Sequence, residues 1–389
     1  MASSHRLHRG VSMVVAGVIL GLAVSLAAQI IHATDELEPR PAGSEMAVIP
    51  PEENAAEWLM AGAAAVVWSD ADSDAIGAAS LLPYPNWGPE LVRSVRDALE
   101  HQRGALATLH RAAPLASSSY GIDNPQGTAA RMPDMVSLIR ACRLLLAEAR
   151  VAAADGDRER ALIALATMGR LASSLERESS MLTAVIGIAC ERMTLLAAAE
   201  TLTCGHPWIS QPVSLNALRG ALSTEDLAAT MRRSWTFETS RDADSGAAAE
   251  VAADGVERAL AFLSELVETP YGRAPERFQK VDRDDVPISL MVKNMSNAIA
   301  RAQAALAQRQ LVQAAIALRR VAITDGAFPA DRSAVPELIE PDPFTGRPLL
   351  YCLREDGSAE VALDGADKLL TEIVAKNAAS IPPIVLPAP

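Results

Sequence analysis

The distribution of apolar and polar residues divides the chain into three parts. Residues Val11 to Ile31 form an uncharged and mostly apolar run. Farther along, apolar residues recur one helical turn apart, as in Leu91, Val95 and Leu99, and this spacing predicts amphipathic α-helices. After Asp325 the helical spacing stops, and prolines and short apolar runs replace it. The sequence therefore predicts a mostly α fold: an N-terminal transmembrane helix, an antiparallel helical-hairpin array and a small C-terminal β-hairpin.

The apolar run at residues 11–31 has the length of a transmembrane anchor, because about 20 helical residues cross a hydrocarbon core of about 30 Å. Arginines precede the run and acidic residues follow it. The positive-inside rule then places residues 1–10 in the cytoplasm and the bulk of the chain in the periplasm, as a single-pass protein of the inner membrane. Cleavage as a signal peptide near Ser25 and Ala27, followed by secretion, is the alternative.

Three small residues lie on one face of this span. Gly17, Gly21 and Ser25 are spaced four apart, and such a pattern lets two transmembrane helices approach closely. Self-association through this face is one hypothesis. The alternative is that these residues only reflect the general abundance of glycine in membrane helices.

The middle of the chain is predicted to be one helical domain. Residues 32–50 contain prolines among polar residues and are interpreted as a linker. Residues 51–322 are predicted to form antiparallel helical hairpins around a common core. The turn Asp155-Gly156-Asp157 and its flanking helices resemble a single tetratricopeptide-type hairpin, without a second copy at a fixed period. The helical stretch 288–322 is too long to be expected as one uncapped helix.

The C-terminal part is predicted to be a small α+β module. It covers residues 323–375, with strands at 349–353 and 359–363 that flank a turn at Glu355–Ser358. Residues 376–389 are rich in proline and are predicted to be extended or disordered.

Two motifs in this module carry a resemblance. Gly326-Ala327-Phe328-Pro329 is followed by DPFTGRPLLY at positions 342–351. This pattern resembles the C-terminal part of type II secretion major pseudopilins. It is also similar to the tail of membrane-anchored, planctomycete-like bacterial proteins of unknown function. The chain departs from pseudopilins at its other end, where Val15 stands five residues after Gly10 in place of the glutamate that prepilin processing requires.

The residues of this motif have a physical interpretation. Asp342 is expected to accept hydrogen bonds from the turn at Gly346. Phe344 and Tyr351 are expected to pack against the preceding helix. These roles stabilise a fold and provide no chemistry.

Composition and charge exclude some classes of function. Half of the 389 residues are hydrophobic, only 4% are aromatic, and the formal net charge is −13. An acidic chain without a basic cluster is not expected to bind nucleic acid. The four cysteines include no CxxC pair, so a zinc site is not predicted. Cys142 and Cys190 are interpreted as buried hydrophobes, and Cys204 and Cys352 complete a set whose three possible disulfide pairings remain open.

No local motif predicts a catalytic, cofactor-binding or metal-binding residue, since G-x-S-x-G, H-E-x-x-H, P-loop and G-x-G-x-x-G sequences are all missing. His101 and His110 are nine residues apart on one predicted helix and point to different sides. Cys204 and His206 are a candidate nucleophilic pair. The favoured interpretation is a helix end with Trp208 as an adjacent anchor.

The acidic residues of the tail raise the question of a calcium site. Some pseudopilins hold it in an acidic C-terminal loop, and the residues of suitable type here are Asp356, Glu360, Asp364 and Asp367. They lack the spacing of a calcium loop, so solvated turn residues are the favoured interpretation and no cofactor is predicted.

Taken as a sequence, the chain favours an anchored envelope scaffold or protein-interaction module that works on envelope proteins. Helical-hairpin arrays build binding faces from neighbouring hairpins. The alternatives are an envelope hydrolase whose site is assembled from residues distant in sequence, and an accessory protein of a secretion system. Whether the protein is an enzyme is left open by the sequence.

Overall fold

The computed structural model describes residues 49–121, 133–178, 180–223, 225–227, 229–231, 233–234, 269–270, 286–365 and 381–389. The predicted anchor at 11–31, with Gly17, Gly21 and Ser25, lies outside these residues. The described part is mostly α-helical with a small three-stranded sheet near the C-terminus. Its helices are α1 (Ala55–Ala64), α2 (Asp70–Leu81), α3 (Pro89–His101), α4 (Arg103–His110), α5 (Met135–Asp155), α6 (Arg158–Glu176), α7 (Met181–Thr203), α8 (Pro212–Ala221) and α9 (Val286–Asp325).

Most of these helices begin at a residue that caps the first turn. The side chains of Asn54, Asp134, Asp157 and Ser180 each accept a hydrogen bond from a backbone N–H of the helix that follows. Ser69 forms a full capping box before α2. These contacts satisfy N–H groups that have no partner within the helix, and they explain why the helices start where they do.

The break between α3 and α4 is fixed by Gln102, which is almost fully buried. Its side chain accepts from the backbone N–H of Val67 at 3.2 Å and donates to the Val67 carbonyl at 2.6 Å. The α1–α2 connection is thereby attached to the α3–α4 junction. The prediction that His101 and His110 share one helix is wrong, because each of them ends a separate helix.

The centre of the body consists of α5, α6 and α7. Gly156, with φ +74°, ends α5 and allows the sharp turn into α6. Helix α7 packs against both α5 and α6, and α8 crosses α6 at Gly169. A side chain at Gly169 would meet the carbonyl oxygen of Ala221, so the glycine permits this close approach. The two cysteines predicted to be buried hydrophobes, Cys142 and Cys190, are confirmed as fully buried.

Helix α9 is a single helix of 40 residues, and the expectation that this stretch would be interrupted is wrong. The packing of its buried side chains against other elements stabilises the helix. It therefore continues without an interruption or a cap near its middle. It packs against α7, α8 and the C-terminal sheet. Its fully or almost fully buried residues include Ala304, Ala307, Leu311, Val312, Ala315 and Leu318.

The C-terminal sheet contains β1 (Leu350–Leu353), β2 (Ala359–Ala362) and β3 (Ile384–Leu386), antiparallel in that order. The sequence predicted the first two strands as a hairpin and the last segment as extended or disordered. The last segment instead supplies β3, because Ile384 and Leu386 alternate onto a buried face. Strand β3 contacts α7 and α9, so the sheet is part of the body.

Among the described helices, α7 is the one long and apolar enough to cross a membrane by length and composition. Two-thirds of its apolar window is buried within the body. It is the central helix of the fold, in contact with α5, α6 and α9.

Candidate functional site

Three buried charged residues of the described body form a polar centre, defined here as Glu176, Glu191 and Arg309. Glu176 ends α6, Glu191 lies in α7 and Arg309 lies in α9. The two carboxyl groups are 0% and 1% exposed. Arg309 Nε donates to Glu191 Oε1 at 2.6 Å, and Arg309 Nη1 donates to the carbonyl oxygen of Glu225 at 2.8 Å. The polar centre therefore links three helices and the segment that follows α8.

Burial and the closeness of the two carboxyl groups in the polar centre determine the protonation of Glu176. Burial, and next the negative charge of Glu191, raise the pKa of Glu176 to about 8. Glu191 forms a side-chain hydrogen bond with Glu176, and Ser223 Oγ donates to Glu176 Oε2 at 2.8 Å. At neutral pH Glu176 is thus a neutral acid beside the ion pair of Glu191 and Arg309. The centre is closed to solvent, so its role is to connect helices.

A second polar group surrounds His110 at the end of α4. Its Nδ1 lies 3.0 Å from Thr167 Oγ1, and its Nε2 lies 2.9 Å from Glu148 Oε2. Arg160 Nε donates to the other oxygen of Glu148 at 2.9 Å. The order hydroxyl, imidazole, carboxylate is that of a hydrolytic triad. However, the Thr167 hydroxyl donates to the Ile163 carbonyl at 2.8 Å, and both ring nitrogens of His110 face protein groups.

The other two histidines of the body lie elsewhere. His101 Nδ1 is 3.1 Å from Asp72 Oδ1, with a largely exposed ring. His206 Nε2 is 3.0 Å from the carbonyl oxygen of Ala154, and its ring covers Gly156 at the α5–α6 turn. The three histidines are therefore engaged with three different parts of the fold and do not converge on one site.

The interpretation of Cys204 and His206 as a helix end is confirmed. Gly205 adopts φ +74° directly after α7, and Trp208 is buried three residues later. The Cys204 thiol hydrogen-bonds with the backbone of His206, and burial raises the pKa of this thiol. Because the His206 imidazole is directed at Ala154, it does not activate the sulfur.

The acidic residues of the tail that were considered for calcium make separate contacts. Asp356 Oδ1 accepts from both the backbone N–H and the hydroxyl of Ser358. Glu360 pairs with Arg354, and Asp364 pairs with Arg347. Asp367 lies outside the described residues. Within the described ranges, no group of three or more His, Cys, Asp or Glu side chains could hold a metal ion.

The predicted role of Asp342 as the hydrogen-bond acceptor of the tail's turn is confirmed. Asp342 is fully buried, and its Oδ1 accepts from the backbone N–H groups of Phe344 and Thr345 at 2.9 and 2.7 Å. Phe344 is fully buried, and Gly346 has φ +71°. The hydroxyl of Tyr351 donates to the Pro329 carbonyl at 2.6 Å.

Strand β1 lies at one edge of the sheet and pairs only with β2 among the described strands. It exposes large apolar side chains: Leu350 is 50% and Leu353 is 41% accessible. Exposed edge strands with apolar side chains are sites where another extended chain can pair. The outer edge of β1 is therefore the surface of the tail best suited to bind a protein.

The hydrogen-bond alternation of the hairpin determines which groups face this outer edge. The N–H of Arg354 donates to the Ser358 carbonyl at 2.8 Å, so this facing pair is hydrogen-bonded. In antiparallel strands such pairs alternate with non-bonded ones. Cys352, two residues before Arg354, therefore directs its N–H and C=O groups towards β2. Tyr351 and Leu353 direct theirs outwards.

Comparisons with known proteins add no relative. No protein-family model, no curated protein and no solved structure matches this chain.

Sequence reasoning missed the polar centre because its members are distant in the chain. Arg309 and Glu191 are 118 residues apart, and no spacing rule connects them. The signal that existed was the presence of charged residues within apolar helical stretches. The outer edge of β1 had a local signal, since Leu350 and Leu353 belong to a predicted strand, but edge position depends on the order of the strands.

Proposed function

We propose that the protein is a single-pass scaffold of the bacterial envelope that binds an extended segment of another envelope protein along the outer edge of β1. Residues 11–31 anchor it in the inner membrane, residues 1–10 face the cytoplasm, and the helical body lies in the periplasm. The observation that carries the proposal is the edge position of β1 among the described strands, with its exposed Leu350 and Leu353.

The chemistry of the edge specifies an extended polypeptide as the partner. The outward N–H and C=O groups of Tyr351 and Leu353 can each bond to a backbone that is added as a fourth strand. Leu350 and Leu353 provide apolar contacts beside these groups. Backbone pairing supplies affinity in this mode of recognition, and side-chain contacts supply specificity.

A rigid body supports the edge. The Tyr351 hydroxyl donates to the Pro329 carbonyl, and Phe344 and Leu349, which precede β1 in the chain, are fully buried. Strands β2 and β3 contact α9. The partner would therefore not have to order the tail on binding, which reduces the entropic cost of association.

The anchor and the location rest on the sequence. The uncharged run and the charges on either side of it support them. Self-association through Gly17, Gly21 and Ser25 is part of the same proposal, because a dimer would present two edges to a partner.

The test uses the full-length protein in its native membrane. A photo-crosslinking residue at position 352 is activated in cells, and the attached protein is identified by mass spectrometry. The matched position is Leu81, an exposed leucine at the end of α2. We expect an envelope protein to be captured at 352 and not at 81, with the attachment point in one short segment of the partner.

A peptide with that segment then tests the mode of binding by hydrogen exchange. In the free protein the amide of Cys352 should already be protected by β2, and those of Tyr351 and Leu353 should exchange rapidly. Adding the peptide should protect Tyr351 and Leu353. Leu353→Pro, which removes an outward N–H without affecting the β2 ladder, should abolish binding at unchanged Tm. Unaltered exchange at both residues in the presence of bound peptide would contradict the proposal.

A hydrolytic enzyme is the second candidate, favoured by the arrangement of Thr167, His110 and Glu148. It requires the Thr167 hydroxyl to become accessible. Labelling with a fluorophosphonate probe that is lost in Thr167→Val would support this candidate over binding. The accessory role in secretion rests on the tail motif, and identification of a secretion-system protein at position 352 would support it.

A further inference from the structure

Two of the four cysteines meet in the core. Cys142 of α5 and Cys190 of α7 are both fully buried and free, and they are 48 residues apart in the chain. The Cys142 thiol donates to the carbonyl oxygen of Cys190 at 3.9 Å, so the Cys142 sulfur lies directly against the backbone of Cys190. Neither thiol has a functional role in the sites described above.

The other two cysteines have different environments. Cys204 lies at the end of α7 and hydrogen-bonds with the backbone of His206. Cys352 is exposed on β1, where its sulfur contacts the Leu353 carbonyl at 3.9 Å. Among the possible disulfides of these four cysteines, the fold therefore supports the one between Cys142 and Cys190.

We propose that Cys142 and Cys190 form a disulfide when the protein folds in an oxidising compartment. The bond would join α5 to α7, the first and third helices of the central bundle. Nothing in this inference depends on the partner proposed for β1. It uses the proposed periplasmic location only to say where the oxidant is met.

The oxidant is a disulfide of a thiol-exchange protein or of oxidised glutathione. The thiolate of one cysteine attacks a sulfur of that disulfide and forms a mixed disulfide, and one thiol of the oxidant leaves. The second thiolate then displaces the other oxidant sulfur and closes the bond between Cys142 and Cys190. Two thiols of the protein are oxidised, one disulfide of the oxidant is reduced to two thiols, and the two protons pass to those thiols.

Burial sets the time at which this reaction can occur. The hydrogen bond with Cys142, together with burial, raises the pKa of the Cys190 thiol well above its ordinary value. The thiolate is the reactive form, so the folded and reduced protein reacts slowly. Oxidation must take place during folding, before α5 and α7 have packed together and buried the two thiols. Once the helices have packed, the redox state of the pair is fixed.

The consequence for the fold is a covalent cross-link of the unfolded chain. A disulfide limits the conformations of the unfolded state, and the effect grows with the length of the closed loop. The loop here contains most of α5, all of α6 and half of α7. Because α5 and α7 already contact each other, the disulfide should raise the Tm of the protein by roughly 10 °C relative to the reduced form.

The experiment refolds the full-length protein from denaturant in detergent, in a glutathione redox buffer and, in parallel, in excess dithiothreitol. Non-reducing peptide mapping should find one cross-linked pair, the peptides of Cys142 and Cys190, in the oxidised sample. Its Tm should exceed that of the reduced sample. Cys204→Ser should leave the bond and the Tm difference intact, and Cys142→Ala with Cys190→Ala should remove both.

Three outcomes would overturn the inference. They are a bond that includes Cys204 or Cys352, four free thiols after oxidative refolding, and a cross-linked protein with a lower Tm. The timing is tested on protein that was folded while reduced and then exposed to oxidised glutathione. We expect both core thiols to remain free for hours, and complete oxidation within minutes would contradict the argument from burial.

Discussion

Arg309 of α9 and Glu191 of α7 form a buried ion pair, with 2.6 Å between Nε and Oε1. The pair joins the last helix of the body to its central helix. Around it, Glu176 remains protonated and Ser223 donates to Glu176. This relationship gives the body a polar centre in a core otherwise made mainly of alanine and leucine, and it leads to the first two predictions.

Arg309→Met should strongly destabilise the protein. The substitution leaves Glu191 buried without its cation, and breaking a buried pair in this way costs about 3–5 kcal/mol. The free energy of unfolding in urea provides the measurement. The matched control is Arg354→Met, which breaks the exposed pair with Glu360 in the tail and should leave stability unchanged. Equal effects of the two substitutions would show that the buried pair does not contribute.

Glu176 should make the protein less stable as the pH rises from about 4.5 to about 8. Over this range the unfolded chain releases the proton of Glu176, and the folded protein retains it because its pKa is raised. Each pH unit within the window lowers the free energy of unfolding by at most about 1.4 kcal/mol. Above about pH 8 both states are ionised and this dependence ends.

Glu176→Gln is the control for this pH dependence. The amide is neutral, so it resembles the protonated acid at every pH. We expect the variant to be close to the wild type at pH 5 and more stable than it at pH 8, by urea unfolding. If the difference between the two proteins is the same at both pH values, Glu176 does not titrate as argued.

Gly169→Ala should separate α6 from α8. A β-carbon at this position would lie 1.8 Å from the carbonyl oxygen of Ala221, which is backbone and cannot rotate away. We expect a loss of about 1–3 kcal/mol, which is typical of overpacking. Gly77→Ala in α2 is the matched control, since no atom lies within 4 Å of its added carbon. The control should gain roughly 0.5–1 kcal/mol from helix propensity.

Asp342→Ala should destabilise the tail. The substitution leaves the buried N–H groups of Phe344 and Thr345 without an acceptor, at a cost of about 1–3 kcal/mol for each lost partner. Asp342→Asn retains one side-chain oxygen and should lose less. Near-ultraviolet circular dichroism and hydrogen exchange of β2 report on the tail. Exchange that is unchanged in the alanine variant would contradict this role of Asp342.

Whether a feature could be predicted from the sequence depends on how far apart in the chain the interacting residues are. The Asp342 turn was predicted because the hydrogen bonds to the Asp342 side chain come from within three residues. The prediction that α9 would be interrupted was wrong, because α9 is stabilised by burial against other helices. Strand β3 was missed because proline-rich segments adopt extended structure whether or not a sheet is available.

The sequence alone determined features that depend on local physics: the Asp342 turn, the hairpin of β1 and β2 and the burial of Cys142 and Cys190. Only the tertiary structure decided which distant groups meet. It placed Arg309 beside Glu191, brought Cys142 against Cys190, engaged His101, His110 and His206 with different parts of the fold and left β1 paired only with β2 among the described strands. A side chain's environment in the core depends on how helices pack, and packing contacts join residues that no sequence spacing relates.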